Sequence, residues 1–135
     1  MMPSRISSLV FSAQVVKGSH RGRSIGTPTI NLQYNDVPQE LLNGVYACFA
    51  QLEDEGESIP AVMHYGPRPV FKDSPSCEVH LIDRTIAHSP MRLTVAVIQF
   101  LRDIADFPSR EALLQQMEAD IHVAREILGV SSPGA

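Results

Sequence analysis

One change of texture governs what this chain can fold into. Up to about Arg102 the apolar residues fall in β-branched or alternating segments, separated by glycine, proline and charge; beyond Asp103 they recur at steps of three and four. The strand-like segments are "LVFSAQVV" (9–16), "NGVYACFAQL" (43–52), "IPAVMHY" (59–65), "CEVHLID" (77–83) and "MRLTVAVIQFLR" (91–102). "EDEGE" between the second and third reads as the charged turn of a hairpin. "GPRPVFKDSPS" (66–76) carries three prolines, which cannot donate into a sheet ladder, and reads as a loop. After the last strand, Ser109 caps a helix, Glu111 suits its first turn, and Leu113, Leu114, Met117, Ile121, Ala124 and Leu128 form one apolar face before a stop at Gly129. Strands closed by a single helix are the pattern of an antiparallel barrel with a terminal helix, not of alternating β-α units.

A length of 135 residues suits one domain, with its core over about 9–129, and is long enough to bury that core without metal or disulfide staples. No apolar run reaches the roughly 18–20 residues of a membrane helix, and "MMPSRISSLVFSAQVV" lacks a signal peptide's apolar region and cleavage site, so a cytoplasmic location is expected. Cys48 and Cys77 lie in strand-like contexts with no zinc spacing and read as reduced core residues. The net charge of −4 divides into +4 over residues 1–35 and −8 over the rest. A short basic segment on an acidic body fits a local anionic ligand better than a nucleic-acid footprint, which needs a broad basic face.

That basic segment is "GSHRGRSIGTPTINL" (18–32). It is neither a Walker loop nor a G-x-G-x-x-G, and Pro28 prevents a helix from starting at once. Gly18, Gly22 and Gly26 would let backbone N–H groups approach a phosphate, with Arg21 and Arg23 as counter-charge; a solvated turn explains the same residues. In an extended chain Thr29 and Asn31 share a side and offer two hard oxygens suited to Mg²⁺; bonds to nearby backbone are the plainer alternative. Glu78 is a carboxylate in an apolar strand, and stands either on a wetted face or as a general base, ionised at neutral pH. His20, His64, His80, His88 and His122 form no ligand pattern and read as structural or surface residues.

Taken in order, "VVKGSHRGRSIGTPTINL", "NGVYAC", "IPAVMHYGPRPVF", "CEVHLID" and "FLRDIADFPSREALLQQMEADIHVAREIL" resemble riboflavin kinase, the flavokinase domain that often forms the C-terminal half of bacterial bifunctional riboflavin kinase/FAD synthetases. The resemblance runs from about Ala13 to Leu128. It implies a six-stranded antiparallel Greek-key barrel with a C-terminal helix, and transfer of the ATP γ-phosphoryl group to the riboflavin 5′-hydroxyl, giving FMN. By position it implies Mg²⁺ and phosphate contacts at Thr29 and Asn31, with Gly18, Arg21, Gly22, Arg23, Gly26 and Pro28 flanking the nucleotide. It further implies Glu78 as catalytic base and Arg102 to Phe107 as a loop closing on the flavin, with Arg102 and Phe107 as its contacts.

The sequence departs from the family pattern at Thr27, where an aromatic is usual, at His64 and Val70 in "HYGPRPV", at residues 85–91, and at Ile104 in "RDIADF", where a glutamate is usual. The nucleotide and metal segments match better than the flavin-side loops. No adenylyltransferase half is present in these 135 residues, so a stand-alone, monomeric kinase is expected, with riboflavin/FMN and ATP/ADP as its partners and no nucleic acid or membrane. Two other classes remain: a degenerate module of the same fold that binds flavin or nucleotide without turnover, and a small barrel that binds nucleic acid through its basic segment. The last needs stacking aromatics, but three Tyr, five Phe and no Trp are scattered along the chain.

Overall fold

The structure, a computed structural model, describes residues 9–16, 29–53, 56–68, 73–86 and 88–130. Strands β1 (Val10–Val16), β2 (Thr29–Leu32), β3 (Gly44–Leu52), β4 (Ser58–Arg68), β5 (Asp73–Leu81) and β6 (Arg92–Arg102) precede one helix, α1 (Arg110–Leu128). All pairings are antiparallel, and the order β1-β2-β5-β4-β3-β6 closes on itself through β1 and β6. β3, β4 and β5 are consecutive neighbours, and β2 lies beside β5, which is the Greek-key return that the family resemblance implies.

Period-two sequence becomes sidedness in every strand. Phe11 and Ala13 of β1, Ile30 and Leu32 of β2, and Leu93, Val95 and Val97 of β6 turn into one interior cluster. Cys77, Val79 and Leu81 of β5 join it, each at most 1% exposed, so Glu78 and His80 face outward. Both cysteines are reduced and buried, as expected, and burial pushes the Cys48 thiol up to about 12 and the Cys77 thiol up as well.

A second apolar cluster lies outside the barrel. Val45 and Ala47 of β3, Val62 of β4 and Ile82 meet Ala124 of α1, with Leu101, Ile121, Ile127 and Leu128 packed around them. The helix starts and stops as its local chemistry dictates. Ser109 is extended, its hydroxyl accepts from the Ala112 N–H at 3.1 Å, and Gly129 takes φ 73° with its N–H on the last-turn carbonyls. Arg125, in that last turn, donates to Asp83 at 2.6 Å.

The segment 66–76 differs from the expected loop. β4 continues through Pro67 to Arg68, and β5 begins at Asp73 and includes Pro75; residues 69–72 lie outside those described. The ladder steps from Gly66↔Ser76 to Arg68↔Asp73 across an irregularity. A proline is tolerated there because a bulge asks for no ladder N–H. Gly44, from "NGVY", also has a steric reason: a Cβ at that position would run into the Phe100 ring and come within 3.1 Å of the Arg102 carbonyl oxygen. Phe100 uses the room to set its edge on Tyr46, with centroids 5.5 Å apart.

The interior cluster carries the stability of the barrel. Leu93→Ala, at a fully buried position, is expected to cost about 2–5 kcal/mol by urea denaturation, through lost transfer energy and the cavity left behind. A loss under about 1 kcal/mol would mean that the barrel interior is not the packed core described.

Candidate active site

β2, β5 and β4 lie side by side, and their outward residues fall into two rungs. Thr29 pairs with His80 and His80 with Val62; one rung along, Asn31 pairs with Glu78 and Glu78 with His64. The alternation that sends Ile30 and Val79 inward therefore sets a hydroxyl, an amide, a carboxylate and two imidazoles on neighbouring positions of the outer wall. Glu78 and His80 are each only 7% exposed, although they face away from the interior. The second apolar cluster begins at Val62 and Ile82, so one side of this polar patch is dry.

Contacts within the patch are specific. Thr29 Oγ1 and His80 Nδ1 share a hydrogen bond of 3.1 Å. His80 Nε2 stands 3.9 Å from Glu78 Oε1, and the Ser76 hydroxyl reaches Glu78 Oε2 at 3.5 Å. Buried polar groups are held in such networks because leaving them unpaired costs about 1–3 kcal/mol each.

Among the described residues no group of three or more His, Cys, Asp and Glu side chains is placed to hold an ion. What the patch does offer is the Thr29 hydroxyl and the Asn31 amide, in adjacent rungs beside a carboxylate. Neutral hard oxygens of this kind suit Mg²⁺, which keeps several waters and completes its shell with substrate phosphates.

The remaining residues singled out from the sequence fall in two groups. Gly18, Arg21, Gly22, Arg23, Gly26 and Pro28 lie outside the described residues. Arg102 and Phe107 stand together where β6 runs toward α1: Nε and Nη2 of Arg102 both reach the Asp120 carboxylate at 2.9 Å, Nη1 donates to the Asp103 carbonyl at 2.9 Å, and Phe107 lies under the guanidinium at 5.7 Å. Gln116 adds a third donor to Asp120 at 3.0 Å. The guanidinium thus fastens the strand end to the helix and shapes segment 103–109. His80 and His64, which the sequence leaves as structural or surface residues, both stand beside Glu78. The available signal for His80 was its place two residues after Glu78, on the same face of the strand.

Fold and patch together define a class: a small closed β-barrel whose polar groups gather on its outer wall next to a helix-covered apolar cluster. A family model described as Flavokinase, riboflavin kinase, matches residues 6–128. A bifunctional riboflavin kinase/FMN adenylyltransferase of Pseudomonas fluorescens is 35% identical over 126 residues, covering 90% of this chain and 39% of its own length. A riboflavin kinase of Aspergillus niger is 30% identical over 147 residues, covering 87% of this chain and 69% of its own length. Among solved structures, a Streptococcus pneumoniae protein described as a macrolide-efflux protein matches with a TM-score of 0.74 at 28% identity, over 88% of this chain and 39% of that one. Riboflavin kinase from Trypanosoma brucei shares the fold, with a TM-score of 0.58 at 18% identity over 89% of this chain and 79% of that one. The chain belongs to the riboflavin kinase family. It spans about two fifths of the length of the bifunctional relatives it matches. Among the described residues, no helix is long and apolar enough to cross a membrane.

The Arg102–Asp120 pair has a measurable weight. Asp120 is nearly buried and the Arg102 side chain is 22% exposed. Asp120→Ala is therefore expected to lower unfolding free energy by about 2–3 kcal/mol in urea titrations, less than the ~3–5 kcal/mol of a fully desolvated pair because solvent screens the arginine. No change in the denaturation midpoint would show that the apolar cluster alone holds the helix.

Proposed function

We propose that this chain is an Mg²⁺-dependent ATP:riboflavin 5′-phosphotransferase that forms FMN. Its membership of the riboflavin kinase family supports the reaction, and one observation carries the site: Glu78 stands in register with Asn31 and one rung from Thr29 on the outer wall of the barrel. A base must sit where an acceptor hydroxyl meets the nucleotide phosphates, and this pairing puts the carboxylate beside the two oxygen donors suited to the metal.

In this reading the ribityl 5′-hydroxyl oxygen forms a bond to the γ-phosphorus, the bridging β–γ P–O bond breaks to release ADP, and the hydroxyl proton passes to the Glu78 carboxylate. Most of the catalysis is positioning and charge neutralisation, with proton removal late. Thr29 and Asn31 would hold Mg²⁺, which supplies charge neutralisation at the phosphates when bound. The glycine and arginine positions at 18–28 would flank the nucleotide. Arg102 and Phe107 would act on the flavin side by shaping segment 103–109. Among the described residues closure of the barrel leaves no edge strand for a second copy to extend, which supports a monomer; a cytoplasmic location belongs to the same reading.

Glu78→Gln is expected to lower the rate of FMN formation from riboflavin and Mg·ATP by about 10²–10⁴-fold, read by chromatography of the flavins. Equal rates in the two proteins would remove Glu78 from the reaction. Absence of FMN from the unaltered protein, with flavin still bound, would turn the reading toward a binding module. Thr29→Ala is expected to abolish Mg²⁺-dependent turnover while the circular dichroism spectrum is kept; full activity would remove Thr29 from the metal site.

A further inference from the structure

Between the end of β6 and the start of α1 the chain crosses residues 103–109 without strand or helix pairing. A stretch of this kind keeps one shape only if other contacts offset the backbone entropy that the shape costs. Its first carbonyl, on Asp103, accepts from Arg102 Nη1 at 2.9 Å. Further along, Phe107 lies against the same guanidinium, its ring centroid 5.7 Å from Cζ. One rigid planar group thus meets the segment twice.

What holds that guanidinium is on the helix. Asp120 and Ala124, one turn apart, are the buried residues of α1, so Asp120 stands on the face that packs against the barrel. A carboxylate in such a place is costly unless its oxygens are paired. Oδ1 of Asp120 accepts from Arg102 Nε at 2.9 Å and from Gln116 Nε2 at 3.0 Å, and Oδ2 accepts from Arg102 Nη2 at 2.9 Å. Gln116, one turn earlier on the same helix, restrains rotation of the carboxylate, and the two-point contact then fixes the plane of the guanidinium as well as its place. Apolar residues often seat a helix as firmly as a buried ion pair does, so the distinctive contribution of this pair is geometry.

We propose that Asp120 is a positioning residue for the acceptor side of the site, which holds segment 103–107 through Arg102 in its receiving shape before the flavin arrives. This rests on the function proposed above, in which that segment lies on the flavin side. It gives Arg102 an indirect part: three of its five N–H groups already have acceptors within the protein, and Phe107 is what the guanidinium presents. With the receiving shape populated in advance, acceptor affinity is not reduced by the fraction of molecules that hold another shape.

Three variants separate geometry from charge and from general stability. Asp120→Asn keeps the size of the side chain and loses the two-point contact; Asp120→Glu keeps the charge and displaces it by one methylene. Asp83→Asn cuts a different tie between α1 and the barrel, the 2.6 Å contact from Arg125, outside segment 103–107. Asparagine tolerates the left-handed backbone of that position, φ 56°. The readouts are riboflavin binding to the full chain in the presence of Mg·ADP, by quenching of flavin fluorescence, calorimetric binding of Mg·ADP alone, KM and kcat, and the thermal midpoint. Asp120→Asn is expected to raise the riboflavin Kd and KM by about 10-fold, as for a receiving shape held by about a tenth of the molecules, with kcat and Mg·ADP binding kept. Asp120→Glu is expected to weaken riboflavin in the same direction. Asp83→Asn is expected to lower the thermal midpoint with the riboflavin Kd unchanged.

An unaltered riboflavin Kd in Asp120→Asn would overturn the proposal. So would a loss shared equally with Mg·ADP binding, or an equal riboflavin loss in Asp83→Asn. If Asp120→Asn does not fold, Asp120→Glu decides: a loss confined to riboflavin supports the proposal and unaltered binding overturns it. Riboflavin binding and FMN formation by the unaltered protein report separately on the function; with both present and no effect of the Asp120 variants, only the role of Asp120 falls. Without riboflavin binding by the unaltered protein, both fall.

Discussion

Closure of the sheet is the constraint on which everything else rests. β1 hydrogen-bonds to β6 on one side and to β2 on the other, so each of the described strands lies between two neighbours. In a ring of this kind a one-residue slip would exchange the inner and outer sets of a whole strand, carrying Glu78 into the apolar interior and Val79 out of it. Desolvating a carboxylate without a partner costs more than any single apolar contact returns, so the apolar pattern and the charge enforce the same register. The polar patch is thus a by-product of packing: once the odd-numbered residues of β5 from Cys77 to Leu81 are inside, Glu78 and His80 have nowhere else to go.

The helix then makes the outer wall two-sided. Its apolar face covers Val45, Ala47 and Val62, while the rungs at Glu78 and His80 stay beside it. Most of the attraction comes from that apolar area, at roughly 25 cal/mol per Å² removed from water. Two Arg–Asp pairs of opposite sense, Arg102 to Asp120 and Arg125 to Asp83, add direction. A greasy face alone tolerates sliding, but two charge pairs whose arginines come one from the barrel and one from the helix define a single seating.

Features set by adjacent residues were legible in the sequence. Ser109 and Gly129 bracket α1 because capping is local chemistry, and the alternation of "CEVHLID" is enough to sort the two faces of β5. Features set across the sheet were not. Pro67 and Pro75 argue for a loop when read alone, and only the irregular pairing between β4 and β5 makes room for them in strands. The pairing of Arg102 with Asp120 could not be read locally, because Asp120 lies 18 residues on and on another element. Likewise Thr29 and His80 are 51 residues apart, and their bond exists only because β2 docks on β5. Composition and order were sufficient for the family and the fold; the wiring of the patch required the register.

Among the described residues the seam between β1 and β2 pairs at Val15↔Leu32 and Val16↔Asn31. Opening free energy follows the number of bonds and the apolar area given up, so whatever ties the two strands together resists the parting of the ring there. Asn31 stands on that seam and Thr29 on the same strand. A ligand gripping either residue would favour the form in which this seam is closed. Amide exchange along β1 and β2 would then slow on binding, a local effect of mass action on the strand that carries the two side chains.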